Sequence, residues 1–241
     1  MSDTTIGLLH PGEMGAVVGQ CLTAAGLDAC GWAEMAARSD VIVSVCPPAA
    51  ALEVARTVAG TGFGGLYLDA NAVSPATAGE VATTVKPASF VDGGIIGTPP
   101  VTPGFIRLYL SGDRAAEIRA LFDGTAVDAR LVAPPGTASA VKMAYASWTK
   151  GSAALLLAAR ALARAEGVEP ALLAEWGISQ PGLERRSDAA NGSAAAKGWR
   201  WVAEMEQIAA TMAAAGLPEG FHLAAAEIYR RYQEEPRRSD R

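Results

Sequence analysis

The chain has 241 residues, half of them hydrophobic and 19% charged, with a formal net charge of −5. That length suits one large domain or two small ones, and the apolar share is enough for a sizeable core. The acidic balance excludes a nucleic-acid binder, since the basic Arg237, Arg238 and Arg241 sit together in a polar tail where solvation is the simpler reading.

The predicted elements alternate through the first half. Ile6–His10 reads as a strand, and a glycine turn leads into a helix from Met14 to Ala25, ended by Gly26. A short helix over 32–38 follows, then the β-branched run Val41–Cys46, stopped by Pro47 and Pro48. A helix over 49–59 and a strand over 66–70 come next. Ser74-Pro75 opens another helix with an N-cap and a first-turn proline. Strands are expected over 90–96, 106–111 and 129–132, with a helix over 115–122. Strand–helix alternation implies a mostly parallel sheet covered on both faces.

The pattern changes after Pro134-Pro135-Gly136. No convincing strand follows. Helices are expected over 138–166, 170–176, 182–190, 194–215 and 218–233, with Gly167, Gly177 and Gly216 at helix ends. The sequence thus predicts an α/β domain over 1–135 and an all-α domain over 136–241. Cys21, Cys30 and Cys46 form no Cys-x-x-Cys pair and read as buried free thiols of a reducing compartment. No basic-then-apolar leader opens the chain, and the apolar run Leu155–Ala159 is too short for a membrane span. A cytoplasmic protein is expected.

Four segments carry chemistry. Gly7-x-x-x-x-Gly12-x-x-Gly15 places glycines between strand and helix, where a pyrophosphate can approach first-turn amides; a tight turn without ligand is the alternative. Asp69-Ala70-Asn71 ends a strand at the edge where open α/β sheets bind ligands, though Asp69 and Ser74 would serve equally well as local backbone caps. Asn71 offers a polar substrate both a donor and an acceptor. Asp92-Gly93-Gly94-Ile95-Ile96-Gly97 marks a close approach by a ligand or another backbone, or else a bulge. Lys142, in the first turns of the long helix, shares a face with Tyr145, Ala146 and Thr149, and partial burial would suit it to acid/base work. A plain surface lysine is the alternative, and Lys150 is the competing candidate. His10 and His222 lack Cys or carboxylate partners at ligand spacing, so no metal site is expected. Trp148, Trp199, Trp201 and Tyr229 read as helix-packing residues.

Taken in order, these segments resemble the 6-phosphogluconate dehydrogenase-like superfamily, which includes β-hydroxyacid dehydrogenases and imine reductases. The resemblance is closest to a bacterial branch of NAD(P)-dependent oxidoreductases with a distinctive all-helical C-terminal domain. It rests on Gly7–Gly15, Ser44-Val45-Cys46-Pro47-Pro48, Asp69–Asn71, Val91–Gly97 and Lys142–Tyr145. It implies a Rossmann-type N-terminal domain and NADP or NAD as cofactor. His10, Pro11, Gly12, Glu13, Met14, Gly15, Cys46, Pro47 and Asn71 would hold that cofactor. Asn71, Gly93, Gly94, Ile95 and Lys142 would meet the substrate, with Lys142, Asn71 and Tyr145 in catalytic positions. It also implies a homodimer through the C-terminal helices, in line with the apolar circumference of the 138–166 helix.

Two departures matter. Only Leu27–Gly31 separates the first two helices, so the domain is truncated after its first helix and the second strand, with its ribose contact, is shortened. Asp28 follows the glycine turn too closely to serve as the usual ribose acid. The asparagine that many β-hydroxyacid dehydrogenases carry one turn after the lysine is here Ala146. The leading expectation is an NAD(P)-dependent oxidoreductase on a small polar carbonyl, hydroxyl or imine substrate. The second is a homologue without redox function that runs a cyclisation, dehydration or isomerisation. A non-catalytic ligand-binding dimer is the third.

Overall fold

A computed structural model describes residues 4–9, 15–16, 18, 32–97 and 105–234. The chain divides into two compact units, Met1–Met143 and Ala144–Arg241.

Among the described residues, the first unit holds a six-stranded sheet: β1 (Ile6–Leu9), β2 (Val41–Ser44), β3 (Leu66–Asp69), β4 (Ser89–Ile96), β5 (Ile106–Ser111) and β6 (Val127–Leu131). The strands lie in chain order, β1 to β6. Pairing is parallel from β1 through β4 and again between β5 and β6, while β4 and β5 run antiparallel. Helices α1 (Trp32–Arg38), α2 (Ala51–Gly60), preceded by a 3-10 turn over Pro48–Ala50, and α3 (Pro75–Thr84) link the parallel strands. Strands that step in one direction through right-handed crossovers put successive helices on one face. That face buries Leu9, Ile42 and Tyr67 beneath Met35, Val54, Val58 and Val81. The opposite face packs Val43, Leu68, Val91 and Leu108 against Val18 and against Ile118 of α4 (Ala115–Leu121). Ser74 caps α3 as its sequence suggests, its Oγ accepting the Thr77 N–H at 3.1 Å.

Helix α5 (Thr137–Ala165) starts in the first unit and continues into the second. The second unit adds α6 (Glu169–Ser179), α7 (Leu183–Ala214) and α8 (Gly220–Glu234). Two expectations are corrected here. The helices expected over 182–190 and 194–215 are one helix, because Gly192 does not break it. An interior glycine costs only about 1 kcal/mol, and a buried line through Ser187, Ala190, Ala194, Gly198 and Val202 holds the helix straight through. Gly177 likewise lies inside α6 rather than at its end, whereas Gly167 and Gly216 take positive φ at helix ends as expected. Most of the expected 14–25 helix lies outside the described residues, with Gly15, Ala16 and Val18 helical. No described helix is long and apolar enough to cross a membrane.

Candidate active site

The parallel strands β2 and β3 end side by side at Ser44 and Asp69, and their carboxyl edge carries the loops after them. Such an edge is where open α/β sheets bind ligands. Ala70 N–H donates to Ser44 O at 2.9 Å and continues the ladder one step past the strand. Asn71 follows, and it is almost wholly buried, with 2% of its surface exposed. Its Oδ1 accepts the Cys46 N–H at 2.6 Å, and its Nδ2 donates to Ser44 Oγ at 3.0 Å. Its own N–H donates to Asp69 Oδ1 at 2.9 Å.

Strand register brings a second carboxylate to this place. Asp69 stands directly opposite Asp92 of β4, and both are buried. Burial pushes the Asp69 carboxyl up to about 7; bonds from Asn71 pull against that rise, and the charge of Asp92 adds to it. Asp69 Oδ2 is buried with no hydrogen-bond partner, and Tyr67 Oη, two residues back on the same face beside Ser44, makes no well-formed hydrogen bond. Burial pushes the Tyr67 phenol well above its ordinary range. Burial also pushes the Cys46 thiol up to about 11, so it is no thiolate nucleophile at neutral pH.

Asp92 is tied instead to the start of α5. Its Oδ2 accepts the Ser139 N–H at 2.9 Å and the Ser111 hydroxyl at 3.0 Å, and its Oδ1 accepts the Ser139 hydroxyl. Ser111 Oγ in turn accepts the N–H groups of Gly136, Thr137 and Ala138, each at 3.1 Å. A buried carboxylate and a hydroxyl thus satisfy the otherwise orphaned amides of the helix N-terminus, and the negative charge suits its dipole. Lys142 comes one turn after Ser139 on the same face of α5.

The glycine pair of β4 makes this arrangement possible. Both glycines pair regularly with β5, Gly93 with Leu110 and Gly94 with Tyr109, so the segment is no bulge. A Cβ on Gly93 would sit 2.8 Å from Leu68 Cδ1 and 2.9 Å from Asp69 O. A Cβ on Gly94 would sit 2.6 Å from Ala138 O and 3.1 Å from Lys142 Cβ. The missing side chains therefore let the β3 edge and the Lys142 turn of α5 close on successive residues of one strand.

The sequence-predicted residues divide accordingly. Gly94 and Lys142 come together, Gly93 meets the end of β3, Asn71 Oδ1 accepts the Cys46 N–H, and Pro47 is exposed at the edge. Ile95 points into the core. Gly15 is buried and helical, and His10, Pro11, Gly12, Glu13 and Met14 lie outside the described residues. Tyr145 is exposed on α5 in the second unit. Sequence reasoning missed Tyr67, Ser111 and Ser139, and it gave Ser44 only as part of the Ser44–Pro48 segment without its bond to Asn71.

The second unit has its own buried ionic centre. Lys150 pairs with the buried Glu204, its ammonium 5.6 Å from the Trp201 ring centroid. Tyr229 Oη donates to Lys150 O at 2.6 Å, and its ring meets Trp201 edge-on. Trp201 and Tyr229 are helix-packing residues as expected. Trp148 and Trp199 are more exposed than that reading expects, and the Arg200 guanidinium lies 4.9 Å from the Trp199 ring centroid. No described cluster of His, Cys, Asp and Glu could hold a metal.

Among known proteins, a family described as a domain of unknown function, DUF1932, matches residues 163–232. The uncharacterized 28.5 kDa protein in the 7S RNA 5′ region of Methanothermus fervidus is 31% identical over 141 residues, 58% of this chain. The chain spans about half the length of that curated relative, 54%. Among solved structures, 3-hydroxyisobutyrate dehydrogenase of Mycobacterium tuberculosis, bound to L-serine, superposes with a TM-score of 0.70. That match covers 96% of this chain and 94% of the enzyme at 18% identity. The chain has the 3-hydroxyacid dehydrogenase fold. The reductive aminase of Aspergillus terreus, solved with NADPH and ethyl levulinate, shares that fold at a TM-score of 0.57. It is 20% identical, with 97% of this chain and 95% of the enzyme covered.

The residues present fit a nicotinamide nucleotide on one side. Cys46, Pro47 and the buried Asn71 stand at the carboxyl ends of β2 and β3, next to the end of β1. On the other side β1 is the sheet edge among the described residues. The described order therefore lacks the reversal beside β1 at which dinucleotide folds seat the adenosine half.

Proposed function

We propose that this chain is an NAD(P)-dependent oxidoreductase acting on a small polar carbonyl, hydroxyl or imine compound. The observation that carries the reading is the closure of Lys142 onto Gly94 beside the carboxyl edge of a dehydrogenase-type sheet. The nicotinamide would supply or take up the hydride. Lys142 would give the proton to the carbonyl oxygen or imine nitrogen in reduction and take it back in oxidation, so charge balances in both directions. Gly94 lets the helix turn that carries Lys142 close on β4, and Gly93 lets the end of β3 do the same on the neighbouring residue. Pro47 and the Cys46 backbone would border the nicotinamide ring, and the amides after β1 would hold the pyrophosphate. The reductive aminase solved with NADPH and the dehydrogenase solved with L-serine support this class of reaction. The C-terminal helices would pair two copies of the chain.

The second reading is a cofactor-independent enzyme of the same fold, and the position of β1 at the sheet edge among the described residues favours it. Calorimetric titration with NADH and NADPH separates the two. The oxidoreductase is expected to bind both with similar, weak affinity, because losing one charge-assisted ribose contact costs roughly ten- to a hundredfold. Tight binding of one with rejection of the other would place ribose recognition in another segment, such as 28–32. Absence of binding to either would transfer the assignment to the cofactor-independent enzyme.

A further inference from the structure

We infer that Asn71 is a positioning residue, whose buried carboxamide clamps the loop after β2 to the end of β3. The inference rests on the oxidoreductase reading for what the loop borders, but the clamp itself is a matter of hydrogen bonds. Pro47 and Pro48 have no N–H, so the Cys46 N–H is the last backbone donor before Ala49. The sheet ladder ends at Ser44 and does not reach it. Asn71 Oδ1 takes that donor at 2.6 Å from a residue 25 positions away. Asn71 Nδ2 is spent on Ser44 Oγ, the residue that ends the strand before the loop, and the Asn71 backbone is held by Asp69.

A side chain meant to meet a substrate keeps polar surface toward the edge. With 2% exposure, Asn71 presents almost none. Its two polar atoms instead span the root of the loop, one bond before the turn and one within it. Fixing the Cys46 peptide fixes the start of the Pro47–Pro48 segment, whose exposed Pro47 would border the nicotinamide. Asn71 would therefore act on cofactor affinity through the loop, not on substrate through contact.

The test combines amide hydrogen exchange at Cys46 with NADPH titration of the full chain, for Asn71→Ala, Ser44→Ala and the double variant. Circular dichroism first establishes that each is folded. Asn71→Ala is expected to speed Cys46 exchange at least tenfold and to raise the NADPH Kd about tenfold, the equivalent of one lost hydrogen bond of about 1.4 kcal/mol. Ser44→Ala, which removes a fully buried hydroxyl with no route to a ligand, is expected to move both readouts in the same direction by less. The double variant should match Asn71→Ala alone, since the two residues act through one bond. Unchanged Cys46 exchange in Asn71→Ala would overturn the inference. So would a substrate KM raised by Asn71→Ala with Ser44→Ala silent, which would make Asn71 a substrate contact. If NADPH binds none of the proteins, the oxidoreductase reading fails, while the exchange rates still decide whether the clamp exists.

Discussion

Gly94 and Lys142 are in contact: a Cβ built on the glycine falls 3.1 Å from the Cβ of the lysine and 2.6 Å from the carbonyl oxygen of Ala138. The neighbour that would have to give is helix backbone, held in place by Asp92 and Ser111, so a methyl group here cannot be absorbed by a rotamer change. Gly94→Ala is expected to destabilise the protein by about 1–3 kcal/mol through overpacking and to lower turnover by moving the Lys142 turn. Gly79, inside α3 with nothing near its missing Cβ, is the control. Gly79→Ala should stabilise by about 0.5–1 kcal/mol. Thermal melts of both variants check the opposite signs.

Lys142 and Lys150 share one helix but should fail in different ways. Lys142→Met keeps the aliphatic stem and removes the ammonium. Turnover with small oxo acids or imines is expected to fall by about two to four orders of magnitude with little change in melting temperature. Lys150→Met leaves the buried Glu204 without its cation. Stranding a buried charge typically costs about 3–5 kcal/mol, so this variant should lose stability while its folded fraction stays active. Retained activity in Lys142→Met with loss in folded Lys150→Met would reverse the assignment.

Much of this was legible in sequence because it is local. The β-branched run at Val41–Val43 and the Ser74-Pro75 cap each declare their conformation within a few residues, whereas at the glycine pair of β4 the choice between close approach and bulge is decided only by pairing with β5. The helix through Gly192 was misread because its continuity is decided by packing along the buried line from Ser187 to Val202, which outweighs one glycine. The polar network at the carboxyl edge is long-range by nature. Asn71 reaches Cys46 and Ser44 across 25 and 27 positions, and Asp92 reaches Ser139 across 47. The facing of Asp69 and Asp92 exists only once the β3–β4 register is known. A residue type in sequence shows what it can donate or accept, not which partner consumes it.

The raised Asp69 carboxyl has a stability consequence with a definite sign. The folded protein holds this proton up to about pH 7, against an ordinary carboxyl value of 3.8. Between those two pH values the folded state binds more protons than the unfolded state, so stability falls as pH rises. The contribution is fully present below about pH 4 and gone above about pH 7, a difference of about 4 kcal/mol. Asp69→Asn keeps an oxygen for the Asn71 N–H and has no proton to lose. Relative to wild type it should gain stability at pH 8 and gain little or nothing at pH 4. Denaturant midpoints measured at the two values check this. A wild-type to variant difference that does not change with pH would mean that Asp69 titrates in its ordinary range.

The exposed apolar residues of the second unit call for a covering surface. Along α5, Tyr145, Trp148, Leu155 and Leu162 recur at intervals of three and seven residues, which keep them on one helix face, with Trp148 68% and Leu162 64% exposed. Trp199 and Phe221 add exposed rings on α7 and α8. Such a stripe on a long helix matches the seam by which two helices pack, and a second copy of the same chain is the simplest occupant. Light scattering at micromolar concentration is therefore expected to give twice the 24.7 kDa chain mass. Leu155→Glu with Leu162→Glu places two charges in the seam and should shift the particle toward the monomer without unfolding it, since both side chains already face outward. A monomeric wild-type particle, or a dimer indifferent to both charges, would show that this face is not where the copies meet.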